Sequence, residues 1–144
     1  MPPKTALQQA AAALERHDRS AAGLRAYLEE CGVDGGEARD AVERLRAAGY
    51  VDDERFAANR AAALAERGYG DEAIRADLAG RDVPAGVIET ALASLEDEGE
   101  RAKAALDASQ NAAKAARRLL AKGFAPDSVE AALDAHRVLR ERLL

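Results

Sequence analysis

The chain has 144 residues, of which 48% are apolar, most of them alanine, and only 3% are aromatic, with a formal net charge of -5. That length fits one ordinary domain or several small units in a row; the composition excludes a thick aromatic core, because each helix can bury a thin Ala/Leu stripe and little more. The acidic balance argues against a simple polyanion-binding protein, and Cys31, the single cysteine, excludes an internal disulfide.

Alanine, leucine, arginine and glutamate dominate, and β-branched residues nowhere alternate with polar ones over a strand length, so the expected class is all-α. No stretch approaches the roughly 20 apolar residues needed to span a bilayer, and Met-Pro-Pro-Lys-Thr opens without a hydrophobic signal segment, so a cytoplasmic protein is expected. No Cys/His spacing matches a zinc site, and Cys31 reads as a small semi-buried residue near a helix end.

The first expected helix runs from about Thr5 to His17, with Leu7, Ala10, Ala11 and Leu14 facing inward. Ser20 caps a second helix that ends at Gly32, a residue able to take the left-handed conformation that closes helices. Asp34 with Glu37 makes a capping-box-like start to a third, which stops at Gly49. Asp52 is the next N-cap, and Asp53 and Glu54 suit the positive end of the helix dipole; Phe56, Leu64 and several alanines form the inward face. A turn at Gly68 to Gly70 leads into a helix carrying Ile74 and Leu78, and Pro84 stands at or near the first position of the one after it. Residues 100 to 108 are helical by composition, and Ser109 to Asn111 form a turn. Asn111 caps a helix that closes at Gly123, and Pro126 starts a last helix running through Val138 and Leu139.

These nine helices fall into register with one another. Val33, Val83 and Phe124 serve as anchors; five residues before each lies Leu28, Leu78 or Leu119, and nine before lies Leu24, Ile74 or Ala115. Ala38, Ile88 and Val129 follow at plus five, Ala41, Ala91 and Ala132 at plus eight, and Val42, Leu92 and Leu133 at plus nine. A period of 40 to 50 residues marks a helical repeat protein. The expected organisation is therefore three tandem three-helix repeats over residues 5–51, 52–99 and 100–144, elongated and curved, with a long exposed surface. Ala115 is smaller than its equivalents, which predicts loose packing in the third unit. Charge also drifts along the chain, from -1 over residues 1–51 to -7 over 52–99 and +3 over 100–144.

With the repeats aligned, the segment Leu45-Arg46-Ala47-Ala48-Gly49-Tyr50-Val51-Asp52-Asp53-Glu54-Arg55-Phe56-Ala57 resembles the hallmark L-x-x-x-G-[YLF]-[VIL]-[DN]-D-x-[RK]-F-A of RecX, the bacterial modulator of the RecA recombinase. Arg19-Ser20 before Leu24 and Leu28, Arg67-Gly68-Tyr69-Gly70 before Ile74 and Leu78, and Gly123-Phe124 extend the resemblance over about residues 10 to 135. It implies a regulator that lies in the groove of the RecA–single-stranded DNA filament and bridges protomers. Strand exchange, ATP hydrolysis and coprotease activity would thereby be inhibited, with no catalysis and no cofactor of its own. A monomer is expected.

Most residues of the hallmark have a structural explanation: Gly49 closes a helix, Asp52 caps the next, Phe56 anchors a core, and Tyr50 and Val51 pack the junction. Gly68, Gly123 and Phe124 belong to the same structural set. Asp53 and Arg55 divide evenly between a local ion pair and a partner contact. Exposed arginines are the expected contact residues, because the guanidinium fork suits carboxylates and phosphates. Arg16, Arg19, Arg25, Arg55, Arg60 and Arg67 are candidates for the RecA face, together with Asp53. Arg117, Arg118 and Lys122 are candidates for DNA phosphate, with any direct DNA binding weak and salt-sensitive. A helix-turn-helix DNA-binding protein is the main rival reading, weakened because the recognition-type helix of the second unit is expected to carry Glu89, Glu96 and Asp97 with no basic residue. A helical scaffold for an unrelated partner is a third. An enzyme is disfavoured: there is no phosphate-binding loop, and His17 and His136 lie in different repeats.

Overall fold

A computed structural model describes residues 2–143, and among them the chain forms nine α-helices and no strand. They are α1 (Ala6–Arg16), α2 (Ala21–Glu30), α3 (Gly35–Ala47), α4 (Asp53–Glu66), α5 (Asp71–Gly80), α6 (Ala85–Ala93), α7 (Glu98–Asp107), α8 (Ala112–Ala121) and α9 (Pro126–Leu143). The capping chemistry lies largely where the sequence puts it. Thr5 and Gln8 form a reciprocal capping box, Ser20 accepts from Gly23 N at 3.0 Å, Asp34 from Gly36 N at 3.1 Å, Asp52 from Arg55 N at 3.1 Å and Asn111 from Lys114 N at 3.1 Å. Glu37 makes no bond back to Asp34 among those found, so the expected box there is a single cap. α7 begins at Glu98 behind the cap Asp97, two residues ahead of the expected start.

The main helix packing lies within the triplets α1–α3, α4–α6 and α7–α9. Each triplet holds its own buried cluster, and the aligned positions make it: all of them are buried except Val33 and Leu133, which are half-buried at the edges of theirs. Ala115 is buried in the third cluster, which also holds Phe124, the largest of the three anchors. In α1 the large side chains are displaced from their expected place. Ala10 and Ala13 are fully buried, Leu7 and Leu14 only partly, and Ala11 is exposed, because alanines let α1 approach its neighbours closely. The molecule exposes 9016 Å², against about 7,100 Å² for a compact monomer of its mass. Such an excess is what a row of small cores produces.

The left-handed turn after each second helix is occupied by Gly32, Asp82 and Gly123 (φ +90°, +58° and +91°). Asp82 is the odd one: its short polar side chain tolerates this region better than most. Gly49 and Gly68 (φ +84° and +90°) close α3 and α4 in the same way.

Candidate interaction seam

The triplets are joined by helix ends and loops, and the same pieces recur at both junctions. In the first, Ser20 at the start of α2 donates to the Arg81 carbonyl (3.0 Å), and Asp53 at the start of α4 accepts from Ala21 N (2.8 Å). In the second, Gly70 N at the start of α5 donates to the Lys122 carbonyl (2.9 Å), Glu72 N to the Gly123 carbonyl (3.2 Å), and Glu98 at the start of α7 accepts from Asp71 N (3.1 Å). Arg81 and Lys122 are repeat equivalents, each two residues before its anchor. Glu98 also accepts from Ala125 N and from the Ser128 hydroxyl, so one carboxylate ties the amino ends of α5, α7 and α9. Arg101 completes this junction, pairing with Asp71 (2.9 Å), donating to the Tyr69 carbonyl and lying over the Phe124 ring.

Across these junctions runs a line of cations. Six and two residues before the anchors stand Tyr27 and Cys31, Asp77 and Arg81, Arg118 and Lys122, one turn apart on a shared face of α2, α5 and α8. On Tyr27, Arg16 Nη2 donates to the hydroxyl at 2.6 Å and Arg19 stacks 4.4 Å from the ring centre. On Asp77, Arg60 forms a two-pronged bond at 2.9 and 3.0 Å, and Arg81 adds a third at 3.1 Å. The Arg60 guanidinium holds the Asp77 carboxyl below the ordinary aspartate range, against the opposing effect of burial, with Arg81 adding to the lowering. Arg67 lies two turns beyond Arg60 on α4, and its carbonyl receives Lys122 Nζ at 2.7 Å, with that ammonium 4.7 Å from the Tyr69 ring centre. Asp77 is the one carboxylate that pairs with these seam cations among the described residues. By contrast, Arg75 on α5 is fully occupied by Glu72 and Glu89, whose carboxyl it holds below the usual range.

The fold thus gathers Arg16, Arg19, Arg60 and Arg67 with Arg118 and Lys122 on one seam, mixing the two sets of candidates that the sequence separates. Arg67 and Arg118 are exposed with no side-chain bond among the described residues, whereas Arg60 and Lys122 are committed to internal contacts. The remaining candidates lie elsewhere. Arg25 pairs with Glu29, Arg117 lines a shallow groove with Leu120 and Leu133, and Arg55 donates to the carbonyls of Gly49 and Tyr50, closing α3. Asp53 pairs with Arg46 at 3.6 Å while capping α2, and its side chain is only 11% exposed. Tyr50 does not pack the junction: it is 66% exposed, and Val51 alone fills that place. Sequence reasoning missed Arg81, although the repeat register that finds Lys122 finds it too. His136 Nδ1 donates to Asp107 Oδ1 at 2.8 Å, and His17 stands at the carboxyl end of α1, so the two histidines lie at different places in the fold.

Three-helix units in tandem, linked by recurrent loop contacts and edged by a basic seam, define an all-α repeat protein. Residues 52–92 match the family description "RecX, second three-helix domain". A regulatory protein RecX of Syntrophotalea carbinolica is 36% identical over 112 residues, covering 76% of this chain and 73% of that protein. One from Xanthomonas campestris is 36% identical over 104 residues, and the matched part spans 63% of its length. Among solved structures, RecX from Lactobacillus salivarius superposes with a TM-score of 0.80 at 16% identity, covering 92% of this chain and 95% of that one. A second regulatory protein RecX gives 0.75 at 20% identity, covering 90% of this chain and 71% of that one. The chain belongs to the RecX family of regulatory proteins.

Proposed function

We propose that this chain binds the RecA–single-stranded DNA filament and inhibits its ATPase, recombinase and coprotease activities, with the seam turned toward the filament. The observation that carries the reading is the seam itself: in a chain of net charge -5, cations from all three triplets share one face, and among the described residues Asp77 is the one carboxylate bonded to them. A filament presents acidic side chains and phosphates together at a regular spacing, and a row of small units multiplies weak contacts along it through effective concentration. The chain acts by occupancy and catalyses nothing. Naked DNA is the poorer target, because α6 offers Glu89 and no cation where a groove-entering helix would need one.

The test is RecA ATPase on single-stranded DNA against increasing amounts of the protein. Beside it run Arg67→Glu/Arg118→Glu, which reverses two exposed seam charges, and Arg39→Glu, which reverses a charge on α3 away from the seam. Wild type and Arg39→Glu inhibit alike, and the double variant needs about tenfold more protein or worse. No inhibition by wild type, or equal inhibition by all three, overturns the reading. Inhibition well below one chain per RecA marks capping; a near-stoichiometric requirement marks occupancy of the filament groove.

A further inference from the structure

Tyr27 and Asp77 hold the same place in their triplets, six residues before the anchors Val33 and Val83. At Asp77 the place is filled by a carboxylate, which accepts three bonds from Arg60 and Arg81. At Tyr27 two guanidinium groups converge on a neutral phenol: Arg16 Nη2 donates to the hydroxyl, and Arg19 lies over the ring. Neither arginine is in an ion pair among the described residues, and the Arg19 Nε is buried with no acceptor. Buried donors are almost always bonded, so this one asks for a group that accepts. Tyr27 and Arg16 also line an open hollow of about 410 Å³, in which Lys4 is the second cation and Glu15 the one carboxylate. The other two tyrosines differ. Tyr69 has a single ammonium over its ring, Tyr50 stands exposed, and neither hydroxyl receives a donor among the described residues.

We propose that Tyr27 is a phosphorylation site and that Arg16 and Arg19 are the clamp that holds its phosphate. One guanidinium at the phenolic oxygen and a second over the ring is the arrangement that a phosphotyrosine needs. The first pairs with phosphate oxygens through its fork, and the second holds the ring by its face and reaches the phosphate from there. The hollow beside the hydroxyl has room for the phosphoryl group, and Lys4 and Arg16 outweigh Glu15 in it. The donor is ATP in a protein-tyrosine kinase. Tyr27 Oη attacks the γ-phosphorus, and an O–P bond forms as the bond from that phosphorus to the bridging oxygen breaks. ADP leaves, and the phenolic proton passes to a base of the kinase. α2 is ten residues long with Gly23 in its first turn, so it opens locally at less cost than a long helix, and the kinase reaches Tyr27 through that opening. The phosphate brings a charge of about -1.5 to -2 at pH 7 and ties α1 to α2. It thereby cancels the two cations that the first triplet gives to the seam and weakens the hold on RecA; this consequence, unlike the site, rests on the filament reading.

The test has two arms. In the first, the full chain is purified from its own cells, both growing and after DNA damage, and its tyrosine peptides are weighed by mass spectrometry. A phosphoryl group is expected on Tyr27 and on neither Tyr50 nor Tyr69; a Tyr27 without phosphate in both samples overturns the proposal. In the second, phosphotyrosine is placed at position 27 during synthesis, with and without Arg16→Gln/Arg19→Gln, and circular dichroism checks the fold. Relative to its unphosphorylated counterpart, the chain with both arginines gains about 0.5 M in urea midpoint, and the variant gains nothing. An unchanged or lowered midpoint with both arginines present overturns the clamp, as does an equal gain without them. Inhibition of RecA ATPase by the phosphorylated chain requires about tenfold more protein. If that chain inhibits as well as the unphosphorylated one while Arg67→Glu/Arg118→Glu is impaired, the regulatory consequence falls and the filament reading stands. If the unphosphorylated chain does not inhibit, the filament reading falls, and the urea midpoints decide the clamp alone.

Discussion

Replacing Gly70 with alanine tests whether the triplets are held by backbone docking. Gly70 has φ -84°, which any residue adopts, so alanine there carries no conformational penalty of its own. Its Cβ would nevertheless fall 2.5 Å from the Gly123 carbonyl carbon and oxygen, and against the Phe124 amide nitrogen. Backbone cannot swing aside as a side chain does, so the α8–α9 loop must withdraw. Withdrawal breaks two backbone hydrogen bonds, from Gly70 N to Lys122 and from Glu72 N to Gly123, at about 1 kcal/mol each. It also loosens the Glu98 and Arg101 contacts to Asp71. The total is about 2 to 4 kcal/mol, a large part of the roughly 5 to 15 kcal/mol that holds a domain together. Urea unfolding followed by circular dichroism reads it, with Gly80→Ala alongside. A Cβ at Gly80 meets nothing within 4 Å, so that variant should equal wild type or gain up to about 1 kcal/mol. The Glu72 amide should also exchange its hydrogen faster in Gly70→Ala. A Gly70→Ala protein within about 0.5 kcal/mol of wild type, with that amide still protected, refutes the docking argument.

Phe56→Ala removes the largest side chain of the second core, where it is 7% exposed, and should cost about 3 to 5 kcal/mol in the same measurement; a loss below about 1 kcal/mol would mean that the core closes over the gap. Asp77→Asn should lower the urea midpoint at neutral pH. Because Arg60 depresses the folded-state pKa of Asp77, the stabilisation is complete above the unfolded-state value and is lost as pH falls through the lower folded-state one. The wild-type advantage therefore persists at pH 5 and disappears only in more acidic solution; its disappearance between pH 7 and 5 would assign it to another group.

The repeat register made the cores legible, because Leu28, Leu78 and Leu119 must be buried for any three-helix unit to close. Caps were legible for a local reason: Ser20, Asp52 and Asn111 each satisfy an amide three residues away. The junctions were not. Glu98 reaches Asp71, Ala125 and Ser128 across 27 to 30 residues, and among Glu96, Asp97, Glu98 and Glu100 nothing in the sequence singles it out. Arg60 and Asp77 lie 17 residues apart on different helices, so in sequence Arg60 reads as a free surface charge. Tyr50 misled because an aromatic beside a helix-closing glycine reads as packing, whereas Val51 is the residue that turns inward. In α1 both leucines and alanines fit an inward face, and only the close approach of the helices decides for the alanines.

Of the three second helices, α2 and α8 begin with a side chain that caps them, Ser20 and Asn111, while α5 begins with Gly70 and has no cap of its own. Its first amides are answered only by Glu98, Lys122 and Gly123, which the ribosome adds later in the chain. At ordinary rates of synthesis the gap from Gly70 to Gly123 lasts roughly 3 to 10 s. Throughout that interval the nascent middle unit has a core but an unfinished seam, and it is completed from behind, by the unit that follows it out of the tunnel.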